Sequence, residues 1–352
     1  MPTGATTFRA LRVADVDRQT DDAVVVTFDV PDELRDDFAF EPGQHLTIRH
    51  VDGDDEARRS YSICSPRGGP LRIGVRHVPG GRVSGWLNGE VRPGSTVEVL
   101  PPAGSFVLDD AAGAARHHVA IAAGSGITPV AAIVSSVLAD ETEATVTLLT
   151  VNRTAASAML LEELQALKDR WLDRLQLLFV LTREQTDVEV LSGRLDRERL
   201  DRLVDIGVLP VDADRYWLCG PEPMIDEVTA ALGAHGVPDD RFRHELFGSV
   251  VAARPPVEDA VGAEVTVTLG GRTSELKVTV GETVLDAVRR QRPDVPYSCT
   301  AGVCATCRAQ VSEGTVDLGT IHGLAPDEVA AGFVLTCQAQ PTSERLIVDF
   351  DA

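Results

Sequence analysis

Hydrophobic and polar positions follow three successive patterns along the chain. Up to about residue 106, short runs such as Ala23-Val24-Val25-Val26-Thr27-Phe28 are separated by Pro and Gly, as in Glu41-Pro42-Gly43 and Leu100-Pro101-Pro102-Ala103-Gly104. Short β runs with close-set turn residues predict a small antiparallel barrel. From residue 118 the pattern changes to His118-Val119-Ala120-Ile121-Ala122-Ala123, a buried-strand run ending in Gly124-Ser125-Gly126-Ile127-Thr128-Pro129 and followed by a helical stretch at 130–138. Strands at 145–151, 175–181 and 216–218 alternate with helices at 158–168 and 197–204, which predicts a doubly wound parallel sheet. Alternation of period two returns at 265–269 and 275–280 around a Gly270-Gly271-Arg272 turn, before a helix at 283–290 and a closing strand at 346–348. That is the pattern of a small α+β domain.

The expected division is therefore an antiparallel β-barrel domain at 1–112, an α/β doubly wound domain at 113–250, a linker at 251–261 around Pro255-Pro256, and an α+β domain at 262–352. A chain of 352 residues at 43% hydrophobic and 25% charged suits two or three globular domains. Charge narrows the partners. Fifty-four acids against 33 bases leave −21, and only Lys168 and Lys277 are lysines, a balance that argues against nucleic acid and against an anionic membrane surface. Residues 262–352 hold 12 acids and 7 bases, so the acidity is spread evenly and reads as an aid to solubility. The long apolar stretch at 119–138 is broken by Gly124, Gly126 and Pro129, so no membrane span is expected. No apolar run precedes Asp17, and six cysteines are too few for a disulfide scaffold, so the expected compartment is the cytoplasm.

Four of the six cysteines form Cys299-x4-Cys304-x2-Cys307 with Cys337 after a 29-residue gap. This spacing matches the plant-type [2Fe–2S] ligand set, in which a loop wraps the cluster and a distant strand supplies the fourth thiolate. Small neighbours at Ala301-Gly302 and Ala305-Thr306 let backbone N–H groups turn toward sulfur. A structural zinc site would more commonly present two C-x2-C knuckles, and only one such pair is present.

Three further motifs carry a resemblance. Arg59-Ser60-Tyr61-Ser62, followed by Gly81-Arg82-Val83-Ser84, resembles the flavin domain of the ferredoxin–NADP reductase superfamily. The resemblance implies that Arg59, Ser60, Tyr61 and Ser62 hold the flavin, with Arg59 at the pyrophosphate, Tyr61 on the isoalloxazine and Ser62 near N5. Gly81, Val83 and Ser84 would receive phosphate at a helix N-terminus, which favours FAD over FMN. The turn containing Gly124, Gly126, Thr128 and Pro129, between strand and helix, reads as a dinucleotide site, and proline suits a first helical turn. Cys219-Gly220-Pro221 matches the superfamily's turn at the nicotinamide pocket. In His244-Glu245-Leu246-Phe247, Phe247 would cover the flavin face, and Glu245, Ser62 and Cys219 would line the hydride path. Arg153 and Arg183 follow the second and third strands where NAD sites commonly carry an acid, which favours NADPH over NADH. Residues 262–352 resemble a plant-type ferredoxin with its β-grasp fold.

Taken over its full length, and on Asn152-Arg153-Thr154-Ala155-Ala156-Ser157, Cys304-Ala305-Thr306-Cys307 and Val348-Asp349-Phe350-Asp351, the chain resembles the reductase subunits of bacterial phenylacetyl-CoA epoxidases. The family implies hydride transfer from NADPH to FAD, single-electron relay through a [2Fe–2S] cluster, and an oxygenase partner that is di-iron and multisubunit. The alternative is a reductase for a Rieske-type steroid or aromatic-ring hydroxylase. A terminal oxidoreductase acting on its own substrate lacks support, since the eight histidines form no H-E-x-x-H or similar motif. Cys64 receives no role.

Overall fold

A computed structural model of the chain describes residues 7–53, 55–108, 116–247, 254–324 and 326–352. The expected domain boundary at 112/113 and the expected start of the linker at 251 lie outside the described residues. Strands β1 (Arg9–Thr20), β2 (Ala23–Asp29), β3 (His45–Asp52), β4 (Asp55–Ser62), β5 (Arg72–Arg76) and β6 (Thr96–Val99) form one antiparallel sheet in the order β4-β3-β6-β1-β2-β5. Its two edges meet: Ile63, one residue past β4, bridges Ile73 of β5, and the Cys64 N–H donates to the Arg72 carbonyl at 3.0 Å. Closure removes both exposed edges and makes the expected barrel. Leu11, Val24, Leu46, Ile48, Ile73 and Val97 fill it, and helix α1 (Arg82–Gly89) buries Val83 and Leu87 against it.

A five-stranded parallel sheet follows, built from β7 (His117–Ala123), β8 (Thr145–Asn152), β9 (Leu175–Leu181), β10 (Arg215–Gly220) and β11 (Phe242–Leu246) in the order β11-β10-β7-β8-β9. Helices α2 (Ile127–Asp140), α3 (Leu161–Arg170), α4 (Arg197–Asp205) and α5 (Glu222–Ala234) connect the strands. Both faces are covered. Ala120, Ala122, Val146 and Leu148 pack on one side, Val119, Ile121, Leu149 and Leu218 on the other, which is why β7 and β8 carry near-continuous apolar runs. The order reverses between β7 and β10, and the crevice at that switch point is where such sheets bind ligands. Several elements differ from the sequence reading, helix α2 among them, which starts at Ile127 rather than 130. Helix α3 starts at Leu161 rather than 158, because Thr154 and Ser157 cap a 3₁₀ turn at Ala155–Ser157 and Leu160 takes a left-handed φ of 57°. Strand β10 runs on through Cys219 and Gly220. Strand β11 is an additional edge strand at His244-Glu245.

The C-terminal unit contains β12 (Ala263–Leu269), β13 (Arg272–Val278), α6 (Val284–Gln291), β14 (Arg308–Glu313), β15 (Val316–Asp317), α7 (Pro326–Ala330), β16 (Phe333–Leu335), β17 (Gln340–Pro341) and β18 (Arg345–Asp349). The main sheet runs β13-β12-β18-β14-β16, with β12 and β18 parallel and the other pairs antiparallel. Thr283 caps α6 by accepting from the Asp286 N–H, and α6 buries Val284, Leu285 and Val288 against this sheet in the β-grasp arrangement. Among the described residues no helix is long and apolar enough to cross a membrane.

Candidate functional site

The carboxyl edge of the parallel sheet meets the end of β4. Parallel pairing sets Cys219 beside Glu245 and Gly220 beside Leu246, and the Ser62 hydroxyl donates to Glu245 Oε2 at 3.4 Å. The Phe247 N–H donates to the Gly220 carbonyl at 2.9 Å, and its ring packs on a core that includes Cys219 and Phe106. Ser62, Cys219, Glu245 and Phe247 are thus gathered in one place. Protein crowds the half-buried Glu245 carboxyl closely enough that desolvation, aided by nearby Cys304, pushes it up to about 8. At neutral pH it holds its proton. Burial pushes the Cys219 thiol well up, so this sulfur is a neutral packing group rather than a nucleophile.

The glycine turn has a steric reason. A Cβ at Gly126 would stand 2.3 Å from the Cys219 carbonyl oxygen, and Gly124 has a left-handed φ of 56°. Helix α2 begins at Ile127, placing Pro129 in its first turn. Thr128 is buried, its hydroxyl donating to Ser125 O at 2.9 Å. Arg153 and Arg183 become neighbours, since the Arg183 N–H donates to the Arg153 carbonyl at 2.8 Å. Sequence reasoning missed two charged groups here. Arg76, at the end of barrel strand β5, reaches across to donate to Ser157 O at 2.6 Å, and burial together with Arg153's charge opposes its protonation. Glu184 accepts from the Ala155 N–H at 2.9 Å.

Arg59, Gly81 and Val83 line a cavity of about 280 Å³ together with Arg58, Arg82 and, from the C-terminal unit, Arg289 and Tyr297. Gly81 is the N-cap of α1 and offers no side-chain cap, so the free N–H groups and the cationic walls suit a pyrophosphate. Ser84 does not present its hydroxyl to this cavity: it accepts from the Val78 N–H at 3.1 Å and donates to Gly81 O at 3.3 Å. Tyr61 packs on the barrel core, and burial raises its hydroxyl.

The cysteine loop is wound tightly. Thr300 and Ala305 both take φ of 53°, a left-handed backbone that non-glycine residues adopt at a cost met by surrounding structure. A Cβ at Gly302 would stand 2.1 Å from Thr320 O. The Ala301 N–H donates to Cys299 Sγ at 3.3 Å. The four sulfurs fall into two neighbouring pairs, Cys299 with Cys304 and Cys307 with Cys337, and the Cys304 neighbour holds the Cys299 thiol down at about 7. Among the described residues no three His, Cys, Asp or Glu side chains are set to hold a single metal ion. Two pairs of thiols fit a binuclear centre, one pair to each iron.

Cys64 belongs to the apolar core shared by barrel and sheet, which also contains Phe106 and Ile133, and burial pushes its thiol up to about 12. Iodoacetamide at pH 8 should therefore leave Cys64 unmodified in the native protein and label it after unfolding. Labelling of the native protein, read by mass spectrometry, would show that this interface opens.

With these parts in place, comparison with known proteins is decisive. Family models for an oxidoreductase FAD-binding domain, an oxidoreductase NAD-binding domain and a 2Fe-2S iron-sulfur cluster binding domain match residues 10–108, 120–230 and 267–342. A component of the 1,2-phenylacetyl-CoA epoxidase of Escherichia coli (strain K12) is 42% identical over 99% of both chains. The chain belongs to this family of oxygenase reductases. The ferredoxin reductase component of 3-ketosteroid-9-alpha-monooxygenase from Rhodococcus rhodochrous is 35% identical over 97% of this chain and 96% of its own. A solved phthalate dioxygenase reductase, at 21% identity, shares the fold with a TM-score of 0.61 over 99% of this chain and all of its own. Like its relatives, this reductase is an NAD(P)H-dependent oxidoreductase with FAD and a [2Fe–2S] cluster, and its partner is an oxygenase.

Proposed function

We propose that this reductase acts in the cytoplasm, takes hydride from NADPH and supplies single electrons to a multisubunit di-iron oxygenase, the phenylacetyl-CoA 1,2-epoxidase of aerobic phenylacetate degradation. The convergence of Ser62 and Glu245 at 3.4 Å, with the cysteine loop close enough for Cys304 to raise Glu245, carries the electron path. The end-to-end likeness to the Escherichia coli epoxidase component supports the acceptor. Bound FAD would supply the chemistry that converts a two-electron hydride donor into a source of single electrons. Arg59 and Arg82, with the α1 N-terminus at Gly81 and Val83, neutralise the FAD pyrophosphate, and Tyr61 supports the ring. Ser62, Cys219 and Glu245 shape the pocket at which nicotinamide and flavin meet, and Phe247 shields it from water. Neutral Glu245 can donate to a carboxamide oxygen as well as accept. Gly124, Gly126, Thr128, Pro129, Gly220 and Pro221 let the dinucleotide approach the backbone, while Cys299, Cys304, Cys307 and Cys337 ligate iron. The proposed domain limits remain 1–112, 113–250 and 262–352.

Reconstitution with the oxygenase subunits of a phenylacetyl-CoA epoxidase should give NADPH oxidation coupled to consumption of phenylacetyl-CoA. Coupling instead to a Rieske-type steroid hydroxylase, the reading the Rhodococcus relative favours, would overturn the choice of acceptor. Cofactor preference has its own test. Charge-assisted hydrogen bonds contribute about 1.5–3 kcal/mol, so replacing Arg153 and Arg183 together by Ala should raise KM for NADPH by about tenfold or more and leave KM for NADH within about threefold. Equal effects on both cofactors would remove phosphate recognition as the role of this pair.

A further inference from the structure

One buried histidine has no place in the chemistry described above. His45 opens strand β3, opposite Ser62 in the β3–β4 ladder, and is 2% exposed. Its backbone is clamped in both directions against Ala103, with N···O distances of 2.9 and 3.0 Å. Gly104, at φ +117°, leaves space for the ring, since a Cβ there would stand 2.9 Å from His45 Nδ1. Nδ1 has no hydrogen-bond partner. Nε2 lies 3.4 Å from the hydroxyl of Thr306, 261 residues away in the cysteine loop. That hydroxyl is 3.2 Å from Cys304 Sγ and 3.4 Å from the hydroxyl of Thr47, also on β3.

Proton placement follows from these partners. A proton on Nδ1 would leave a buried donor unsatisfied, at a cost of about 1–3 kcal/mol, so the neutral ring carries it on Nε2. Desolvation keeps the ring neutral, pushing its pKa down to about 4. Nε2–H then donates to Thr306 Oγ1. Two acceptors are left to the single Thr306 hydroxyl hydrogen, the Thr47 oxygen at 3.4 Å and Cys304 Sγ at 3.2 Å, and a negatively charged ligating sulfur is the nearer and the stronger of the two. A ligating sulfur carries negative charge and has no proton to give, so the direction of this chain is fixed: His45 to Thr306 to sulfur.

We propose that His45 is a positioning residue for the iron–sulfur centre. It holds the Thr306 hydroxyl on Cys304 from across the domain boundary, so that seating the ferredoxin unit on the flavin barrel raises the cluster's reduction potential. Hydrogen bonds to cluster sulfur stabilise the more negative, reduced state. Because the donor chain begins in another domain, the bond is complete only when the two are docked. Linkage makes the effect reciprocal: reducing the cluster tightens docking by the same factor by which docking favours reduction. This inference rests on Cys304 being a cluster ligand.

The test is an EPR-monitored redox titration of the full-length holoprotein. Thr306→Val and His45→Leu should each lower the cluster midpoint, with a change in reduced-to-oxidised ratio at fixed poise on the order of tenfold, about 59 mV for a one-electron couple. The double variant should shift no further than Thr306→Val alone, because both act through one hydroxyl. Thr306→Ser and His45→Gln, which keep the two donors, should stay near the parent potential. Flavin absorbance reports whether the barrel has folded. Should His45→Leu fail to fold, His45→Gln and the Thr306 pair still decide: a parent-like midpoint in Thr306→Val overturns the proposal. So does an unshifted midpoint in a folded His45→Leu variant, or additive shifts in the double variant. Absence of a reduced-state EPR signal in the parent protein would instead remove the cluster reading itself.

Discussion

Replacing Cys304 by serine should abolish electron delivery to the oxygenase and leave NAD(P)H-driven ferricyanide reduction near the parental rate. The thiol is buried and paired with Cys299, and a serine hydroxyl is a harder, more basic donor ill suited to iron in a sulfide-bridged centre. Loss of even an outer-shell partner costs a metal site about 10- to 100-fold, so loss of a ligand should reduce acceptor turnover by more than about 100-fold and remove the reduced-state EPR signal. Ferricyanide can draw electrons from the flavin directly. The barrel core and the ferredoxin core are separate clusters, one built on Leu46 and Ile73, the other on Val267, Leu335 and Val348, so the barrel keeps its own packing when iron is lost, and the ferredoxin unit adds to the pyrophosphate cavity only through walls such as Arg289 and Tyr297. Loss of both activities would show that the ferredoxin unit is needed to build the flavin pocket.

The two interfaces around the barrel differ in kind, and this bears on how electrons leave. Barrel and parallel sheet share one apolar core, in which Ala23, Val25 and Cys64 pack with Ile127, Val130 and Ile133. Barrel and ferredoxin unit meet through polar contacts: Ser60 donates to Ser298 at 2.9 Å, Arg58 donates to Val295 O at 3.0 Å, and Tyr297 donates to Glu56 at 3.3 Å. A continuous apolar core is the mark of a permanent association, whereas polar, hydrogen-bonded contacts are typical of interfaces that separate. The two domains expected to hold flavin and nicotinamide thus share one packed core, as hydride transfer over a short distance demands. The cysteine loop lies on the side of the polar contacts, the arrangement that suits a carrier serving both an internal donor and an external acceptor.

Much of this architecture was legible because local chemistry dictated it. The cysteine spacing specified the loop, and the loop's small residues are now seen to meet Thr320 O and a left-handed backbone. The unbroken apolar run of β7 told of a strand covered on both faces. What escaped was set by distance along the chain. Strand β11 is short and polar at His244-Glu245, so nothing in its own period marked it; only pairing with β10 in register with Cys219 makes it a strand. Barrel closure depends on Ile63 meeting Ile73. Arg76 looks like any base ending an alternating strand, and its reach to Ser157 of the nucleotide domain belongs to the tertiary fold. The Ser84 hydroxyl is engaged by the turn before the helix, so what this residue can offer a phosphate is its backbone N–H, as the motif implied. His45 carried no motif at all.

A single methyl group at position 126 should disable use of the nicotinamide cofactor. In Gly126→Ala the new Cβ would lie 2.3 Å from the Cys219 carbonyl oxygen, 2.7 Å from its carbon and 3.1 Å from its sulfur. Two of these are backbone atoms that no rotamer change can move, so either the start of α2 or the end of β10 must shift. Overpacking of this kind costs about 1–3 kcal/mol in stability, but the functional loss should be larger. Moving β10 carries Cys219 and, through the parallel ladder, Glu245 away from Ser62. Moving α2 instead displaces the turn at Gly124, proposed above to approach the dinucleotide. A displacement near 1 Å can cost about 100-fold in rate, so kcat/KM for NAD(P)H should fall by about that factor in stopped-flow flavin reduction. FAD content and the EPR signal after dithionite reduction should persist, because neither site involves Gly126. Gly89→Ala supplies the contrast: it lies at the end of α1 with no atom within 4 Å of its added Cβ, and it should leave flavin reduction unchanged. Normal NAD(P)H turnover by Gly126→Ala would mean that the contact between the glycine turn and Cys219 does not set the geometry of hydride transfer, and the positioning role given to β10 and β11 would fall with it.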